Sequence, residues 1–167
     1  MSGLGIVPRG RAAPAWSTTR WFNTPGGEAL GIDALRGRLV VLHAFQMLCP
    51  GCVMHGLPQA QRVQAAFAPG EVTVVGLHTV FEHHEAMPPV ALEAFLHEFR
   101  IGFAVGVDAA SDDPADPVPR TMRGYGLRGT PSLLLIDRSG DLRFHAFGQV
   151  EDMVLGAVIA TLLAEPA

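Results

Sequence analysis

Residues 39–45, LVVLHAF, form a short run that is apolar except for His43 and is bounded by polar residues. A run of this length and composition predicts a strand buried on both faces. The next seven residues, QMLCPGC, hold both cysteines of the 167-residue chain. A helix is predicted immediately after, from about Pro50 to Phe67. Leu57, Ala60, Val63 and Phe67 recur there at three- and four-residue spacing, and Pro69-Gly70 ends the pattern. Pro58 inside it should kink the helix. A buried strand that runs into a helix, with the only two thiols at the junction, limits the fold more than any other feature.

The flanking segments fit the same scheme. WSTTRWF (16–22) has strand-type residues and is followed by the turn NTPGG. VTVVGLHTV (72–80) is a second buried strand. PPVALEAFLHEF (88–99) has proline in its first turn and Leu92, Phe95, Leu96 and Phe99 on one face, which predicts a helix. FAVGVD (103–108) is a short strand, and RTMRGYG (120–126) a short helix ending in glycine. SLLLIDRSGDLRFHAF (132–147) reads as a hairpin turning at Asp137–Gly140, and EDMVLGAVIATLLAE (151–165) as a closing helix. Alternating strands and helices with a late hairpin imply one α/β domain over residues 16–167. Its mixed central sheet is flanked by helices on both faces. Residues 1–15, rich in Gly, Arg, Ala and Pro, read as a flexible N-terminal arm.

Composition narrows the function classes. The net charge of −4 leaves no basic footprint for nucleic acid or anionic membrane. All twelve basic residues are arginine, so no lysine Schiff base or lysine general base is available. No apolar run reaches the roughly twenty residues of a membrane helix. The first residues lack the continuous apolar stretch of a secretory signal. These features predict a cytoplasmic protein, or a periplasmic one if a leader has been removed.

Three chemistries compete for the C-P-G-C pair: a structural disulfide, half of a metal site, and a redox dithiol. A disulfide between Cys49 and Cys52 closes too small a loop to contribute much chain-entropy stabilisation. Zinc needs two further ligands, and there is no third cysteine. A redox dithiol fits the placement best. Unpaired N–H groups and the macrodipole at a helix N-terminus stabilise a thiolate on Cys49, and Cys52, a turn deeper, can attack a mixed disulfide formed there. The second feature is Thr130-Pro131 just before the strand SLLLI, an unusual place for a residue with no backbone donor. A cis bond there would leave the Thr130 backbone exposed for pairing with an extended substrate.

Taken together, an aromatic-ended strand, C-P-x-C opening a kinked helix, a late T-P before a hairpin and a C-terminal helix resemble the thioredoxin fold. The N-terminal strand extension and the helix–strand unit inserted at about 80–108 look most like the TlpA/ResA-like, or redoxin, branch of bacterial thiol–disulfide oxidoreductases. The resemblance covers roughly residues 20–165. It implies Cys49 as attacking cysteine, Cys52 as resolving cysteine, and Pro131 as the cis-proline facing them. No cofactor is implied beyond the Cys49–Cys52 redox-active disulfide. The partners it implies are a disulfide-containing protein or small thiol substrate and a reductant or oxidant that the sequence does not identify. Three positions depart from the pattern. His43 stands where thioredoxins carry a buried Asp, His55 stands where the branch often has Glu, and Pro58 comes one residue late. Phe45 replaces the usual tryptophan before the motif. His55 and His43 are therefore candidates for proton relay or tuning, along with Phe45.

Two alternatives stay in view. A peroxide reductase of the same fold would carry threonine three residues before Cys49, where this chain has Gln46. A copper or zinc chaperone would use Cys49, Cys52 and a histidine, although copper chaperones of related fold space their cysteines C-x-x-x-C. The segment HTVFEHHE (78–85) supplies His78, His83 and His84 as metal-ligand types without a characteristic spacing. The acidic loop holding Asp108, Asp112, Asp113 and Asp116 lacks the regular spacing of a calcium loop. Arg120, Arg123, Tyr125 and Arg128, between that loop and Thr130, are candidates for shaping a substrate surface.

Overall fold

The computed structural model describes residues 4–166. Its strands are β1 (Thr18–Phe22), β2 (Leu39–Phe45), β3 (Val72–His78), β4 (Ala104–Asp108), β5 (Ser132–Ile136) and β6 (Leu142–Phe147). The helices are α1 (Leu57–Ala66), α2 (Pro89–Glu98), α3 (Arg120–Gly124) and α4 (Asp152–Ala164). The six strands form one mixed sheet in the order β1-β4-β3-β2-β5-β6. β2 runs parallel to β3 and antiparallel to β5, β3 is parallel to β4, and β1 and β6 close the two edges antiparallel. All seven residues of β2 are buried, as its unbroken apolar run requires of a central strand covered on both faces.

Alternation along the strands sorts the core into two layers. Val41 and Phe45 of β2 face one side, with Leu57, Ala60 and Val63 of α1, Leu92, Phe95 and Leu96 of α2, and Leu155, Val158, Ile159 and Leu162 of α4. Val40, Leu42 and Ala44 face the other, with Met122 of α3, Tyr125, Leu127 and the short turn containing Ile32 and Leu35. The inserted unit supplies α2 and β4, and β1 pairs with β4, so the extra strands lie together at one edge.

The helix after β2 starts at Pro50, but Cys52–Gly56 form a π turn before the regular α1. Leu57 N–H donates to the Cys52 carbonyl, five residues back. A π turn holds one more residue than an α turn. That extra residue accounts for the late position of Pro58, which sits in the first turn of α1, where its missing N–H leaves no bond unmade.

The N-terminal segment, read from the sequence as a flexible arm over residues 1–15, runs beside the hairpin. Its residues 1–3 lie outside the described residues, but the rest is stitched along the free edge of β6. Val7 N–H donates to the Arg143 carbonyl, Leu142 N–H to Arg11, and Ala13 N–H to Gly140. The reason is a buried cation on β6. Arg143 donates through Nε to the Val7 carbonyl, through Nη1 to Asp137 at 3.0 Å, and through both Nη atoms to Glu165 at 2.6 and 2.8 Å. Arg9 lies 3.3 Å from Glu165 and reaches the Pro166 carbonyl. One guanidinium thereby ties both ends of the described chain to the hairpin. Replacing Arg143 with methionine should strand Asp137 and cost about 3 kcal/mol of stability by chemical denaturation. It should also free residues 4–13 to rapid amide hydrogen exchange, whereas slow exchange there in the variant would show that the backbone bonds alone hold the segment.

Candidate active site

β2 ends at Phe45, and the chain turns at once: Cys49 N–H donates to the Gln46 carbonyl at 3.0 Å. The turn delivers Cys49 to the start of the helix, where the Cys52 N–H points at its sulfur from 3.3 Å. Cys49 is half-buried and Cys52 buried, with their sulfur atoms 2.7 Å apart. An amide donor aimed at the outer sulfur, on a helix N-terminus, favours negative charge there. Burial acts oppositely on the inner thiol. Desolvation, reinforced by the hydrogen bond to Cys49, pushes the Cys52 pKa up to about 12.

Antiparallel pairing of β2 with β5 sets His43 opposite Leu133 and Ala44 opposite Ser132, which brings the loop before β5 against the cysteines. The Thr130–Pro131 bond is cis. The Thr130 carbonyl lies 3.5 Å from Cys49 Sγ. The Pro131 ring packs along the start of the helix, within 3.3 Å of where a Cβ on Gly51 would stand.

His43 is buried beneath the π turn, and neither ring nitrogen has a hydrogen-bond partner among the described residues. Gly56 crosses directly over it: a Cβ on Gly56 would lie 2.3 Å from His43 Nε2. Desolvation lowers the His43 pKa to about 4, so the ring is neutral near pH 7. Beside it opens a cleft of about 280 Å³ between the π turn, Pro131 and the segment leading to α4, with His55, Gln59 and Arg62 on its walls. Phe45, fully buried, is flanked by two imidazoles, His43 stacked at 6.3 Å and His78 tilted at 5.2 Å.

The sequence-predicted site residues therefore separate into groups. Cys49, Cys52, Thr130 and Pro131 come together. His43 and Phe45 form the floor behind them. His55 is exposed and lines the cleft beside His43. His78, His83 and His84 do not converge. His78 ends β3 with its Nε2 accepting the Met47 N–H at 3.2 Å, while His83 and His84 are exposed. Among the described residues, no group of three or more His, Cys, Asp or Glu side chains could hold a metal ion. Of the candidate substrate-facing arginines, Arg120 and Arg123 pair with Asp112 and Asp116 of the acidic loop. Arg128 instead lies over the half-exposed Phe147 ring, next to the Pro131 loop. Tyr125 is buried and donates to the Pro14 carbonyl. Asp108 is buried too, accepting from Thr121 and Met122 N–H and from Thr79, and caps α3. Gln46 went unassigned in the sequence, although its side chain accepts from Phe81 N–H and donates to Glu82.

Solved structures that match the chain along nearly its full length include two of high identity. A thioredoxin-like superfamily protein, SPOA0173, is 58% identical with a TM-score of 0.90, over 95% of this chain and 99% of that one. A thiol-disulfide isomerase from Corynebacterium glutamicum is 47% identical with a TM-score of 0.85, over 92% of this chain and 98% of that one. Among curated proteins, DipZ of Mycobacterium bovis is 25% identical over 154 residues, which are 92% of this chain. The chain spans about a fifth of the length of that relative, 21%. No family model matches the chain.

Two outcomes follow from the floor of this site. Gly56→Ala should cost about 1–3 kcal/mol, because a methyl must displace the imidazole. A double-mutant cycle with His43→Ala should recover most of that loss, and additive costs would place the clash elsewhere. His43 and His78 both have pKa values lowered by burial from 6.5 to about 4. As pH falls through 6.5 the unfolded chain takes up protons that the folded chain refuses until about pH 4. Stability should therefore drop across that window, by on the order of 3 kcal/mol per histidine. Urea midpoints measured from pH 7 to 4 should lose about half of that drop in His43→Leu, with His78 supplying the rest.

Proposed function

We propose that the chain, which belongs to the thioredoxin-like superfamily, is a thiol–disulfide oxidoreductase in which Cys49 is the nucleophile and Cys52 the resolving thiol. The Cys49 thiolate attacks one sulfur of a substrate disulfide. The substrate S–S bond breaks, a mixed disulfide forms, and one substrate thiolate leaves. Cys52 then loses its proton and attacks Cys49 Sγ, releasing the second substrate thiolate. Two electrons pass to the substrate and the Cys49–Cys52 pair is left oxidised; the same steps run in reverse oxidise a dithiol. The observation that carries this reading is the half-buried Cys49 sulfur, with the Cys52 N–H aimed at it and the Cys52 sulfur behind it. The groove at the Thr130 backbone and Pro131 would seat an extended segment of a disulfide-containing partner.

Cys52, held protonated by burial, needs a base before it can act. We propose that His43, whose ring lies under the π turn that Cys52 opens, and His55, exposed on the wall of the cleft beside it, tune this step, with Phe45 packed against His43. Two unpaired buried ring nitrogens cost stability, on the order of 1–3 kcal/mol. A side chain kept at that cost fits a working group better than a packing one.

Cys49→Ser should abolish disulfide reduction coupled to dithiothreitol, and Cys52→Ser should accumulate a mixed disulfide visible on non-reducing gels. Persistent turnover in Cys49→Ser would sink the assignment. His43→Leu should raise or preserve the melting temperature while slowing resolution of the mixed disulfide about fivefold. Unchanged resolution kinetics would remove His43 from the mechanism.

A further inference from the structure

The C-P-G-C motif and the Pro131 loop do not by themselves hold the turn that presents Cys49. That turn is Gln46–Cys49, and its first two residues are bonded to a separate stretch of chain, residues 78–82. The parallel register sets Phe45 beside His78, and Thr79 N–H donates to the Phe45 carbonyl at 3.0 Å. The next two bonds run through side chains. His78 Nε2 accepts the Met47 N–H at 3.2 Å. Gln46 Oε1 accepts the Phe81 N–H at 3.1 Å, and Gln46 Nε2 donates to Glu82 at 3.2 Å. Both side chains are about 1% exposed, so water cannot substitute for these partners. The same Gln46 residue supplies the carbonyl that accepts Cys49 N–H. The connection is continuous: residues 78–82 fix Gln46 and Met47, these fix the turn, and the turn fixes the Cys49 sulfur under the Cys52 N–H.

We propose that His78 and Gln46 are positioning residues that set the reactivity of Cys49, and that residues 78–82, where the inserted helix–strand unit begins, thereby control the dithiol. The inference rests on Cys49 being the nucleophile. An imidazole suits the task because it fills the space beside Phe45 while its Nε2 accepts one backbone donor. To accept there, the ring must be neutral with its proton on Nδ1. A hydrophobic residue at 78 would pack equally well and leave the Met47 N–H without this partner.

The test separates positioning from packing. In a Cys52→Ser background, the rate of Cys49 alkylation by iodoacetamide is measured with His78 intact, with His78→Leu, and with His78→Gln, whose side chain brings an acceptor close to the Nε2 position. In the dithiol protein, the equilibrium constant against dithiothreitol is measured for the same three. His78→Leu should lower the alkylation rate about fivefold, the factor one hydrogen bond contributes, and shift the equilibrium constant in step. His78→Gln should restore both toward the parent. An unchanged rate and equilibrium constant in His78→Leu, or equal losses in the Leu and Gln variants, overturn the proposal. If His78→Leu does not fold, Glu82→Ala decides, since Glu82 is exposed and its loss releases only the outer end of the network. That variant should show about a twofold fall in rate, and none overturns the proposal. Failure of the parent protein to exchange with any disulfide, with Cys49 still alkylated normally, would instead refute the oxidoreductase mechanism and leave the positioning result readable.

Discussion

Strand β2 is hydrogen-bonded along both edges, parallel to β3 and antiparallel to β5, and this double pairing governs where each reactive group lies. Slipping β2 by one residue against either neighbour would turn Phe45 and His43 to the opposite face. It would also carry the cysteine turn away from Pro131 on one side and from His78 on the other. The unbroken burial of β2 opposes such a slip, since every residue along it is packed against one layer or the other. The reactive turn is thus as firmly placed as the centre of the core, although its outer sulfur reaches the surface.

Beneath that turn the protein keeps charge out. Two buried imidazoles flank Phe45, both held neutral by desolvation, and the inner thiol is held protonated by the same cause. Only the outer sulfur faces a donor arranged to favour its anion. The two sulfurs, although 2.7 Å apart, therefore sit in opposed environments. The opposition comes from depth along one helix turn. In a reaction whose two steps need first one thiolate and then the other, such a gradient orders the steps.

Much of this was readable in the sequence because its causes are local. The apolar run of β2, the C-P-G-C that follows it, and Thr-Pro before an apolar strand each carry their own geometry, and all lie in the structure where the pattern puts them. The one-residue delay of Pro58 also carried the π turn in outline, since an extra residue in a helix has few other places to go. What the sequence obscured depends on partners distant along the chain. Nothing local marks Arg143 as the anchor of residues 4–15, because its carboxylates come from the hairpin turn and from Glu165. His78 read both as a polar member of the strand 72–80 and as a ligand-type residue of the segment 78–85. In the structure it completes the apolar run of β3, and the register with Phe45 gives its ring a single backbone donor to accept. Its place as the last residue of that run was the available signal.

The Arg143 clamp also fixes which end of the hairpin is tied down. β6 runs alongside β5 with Phe147 near the cysteines and Leu142 at the far end, so Arg143, Arg9 and Glu165 meet at the pole of the sheet remote from Cys49. Ion pairs thus fasten one end of the hairpin, and the other is left open beside Pro131 and the half-exposed ring of Phe147.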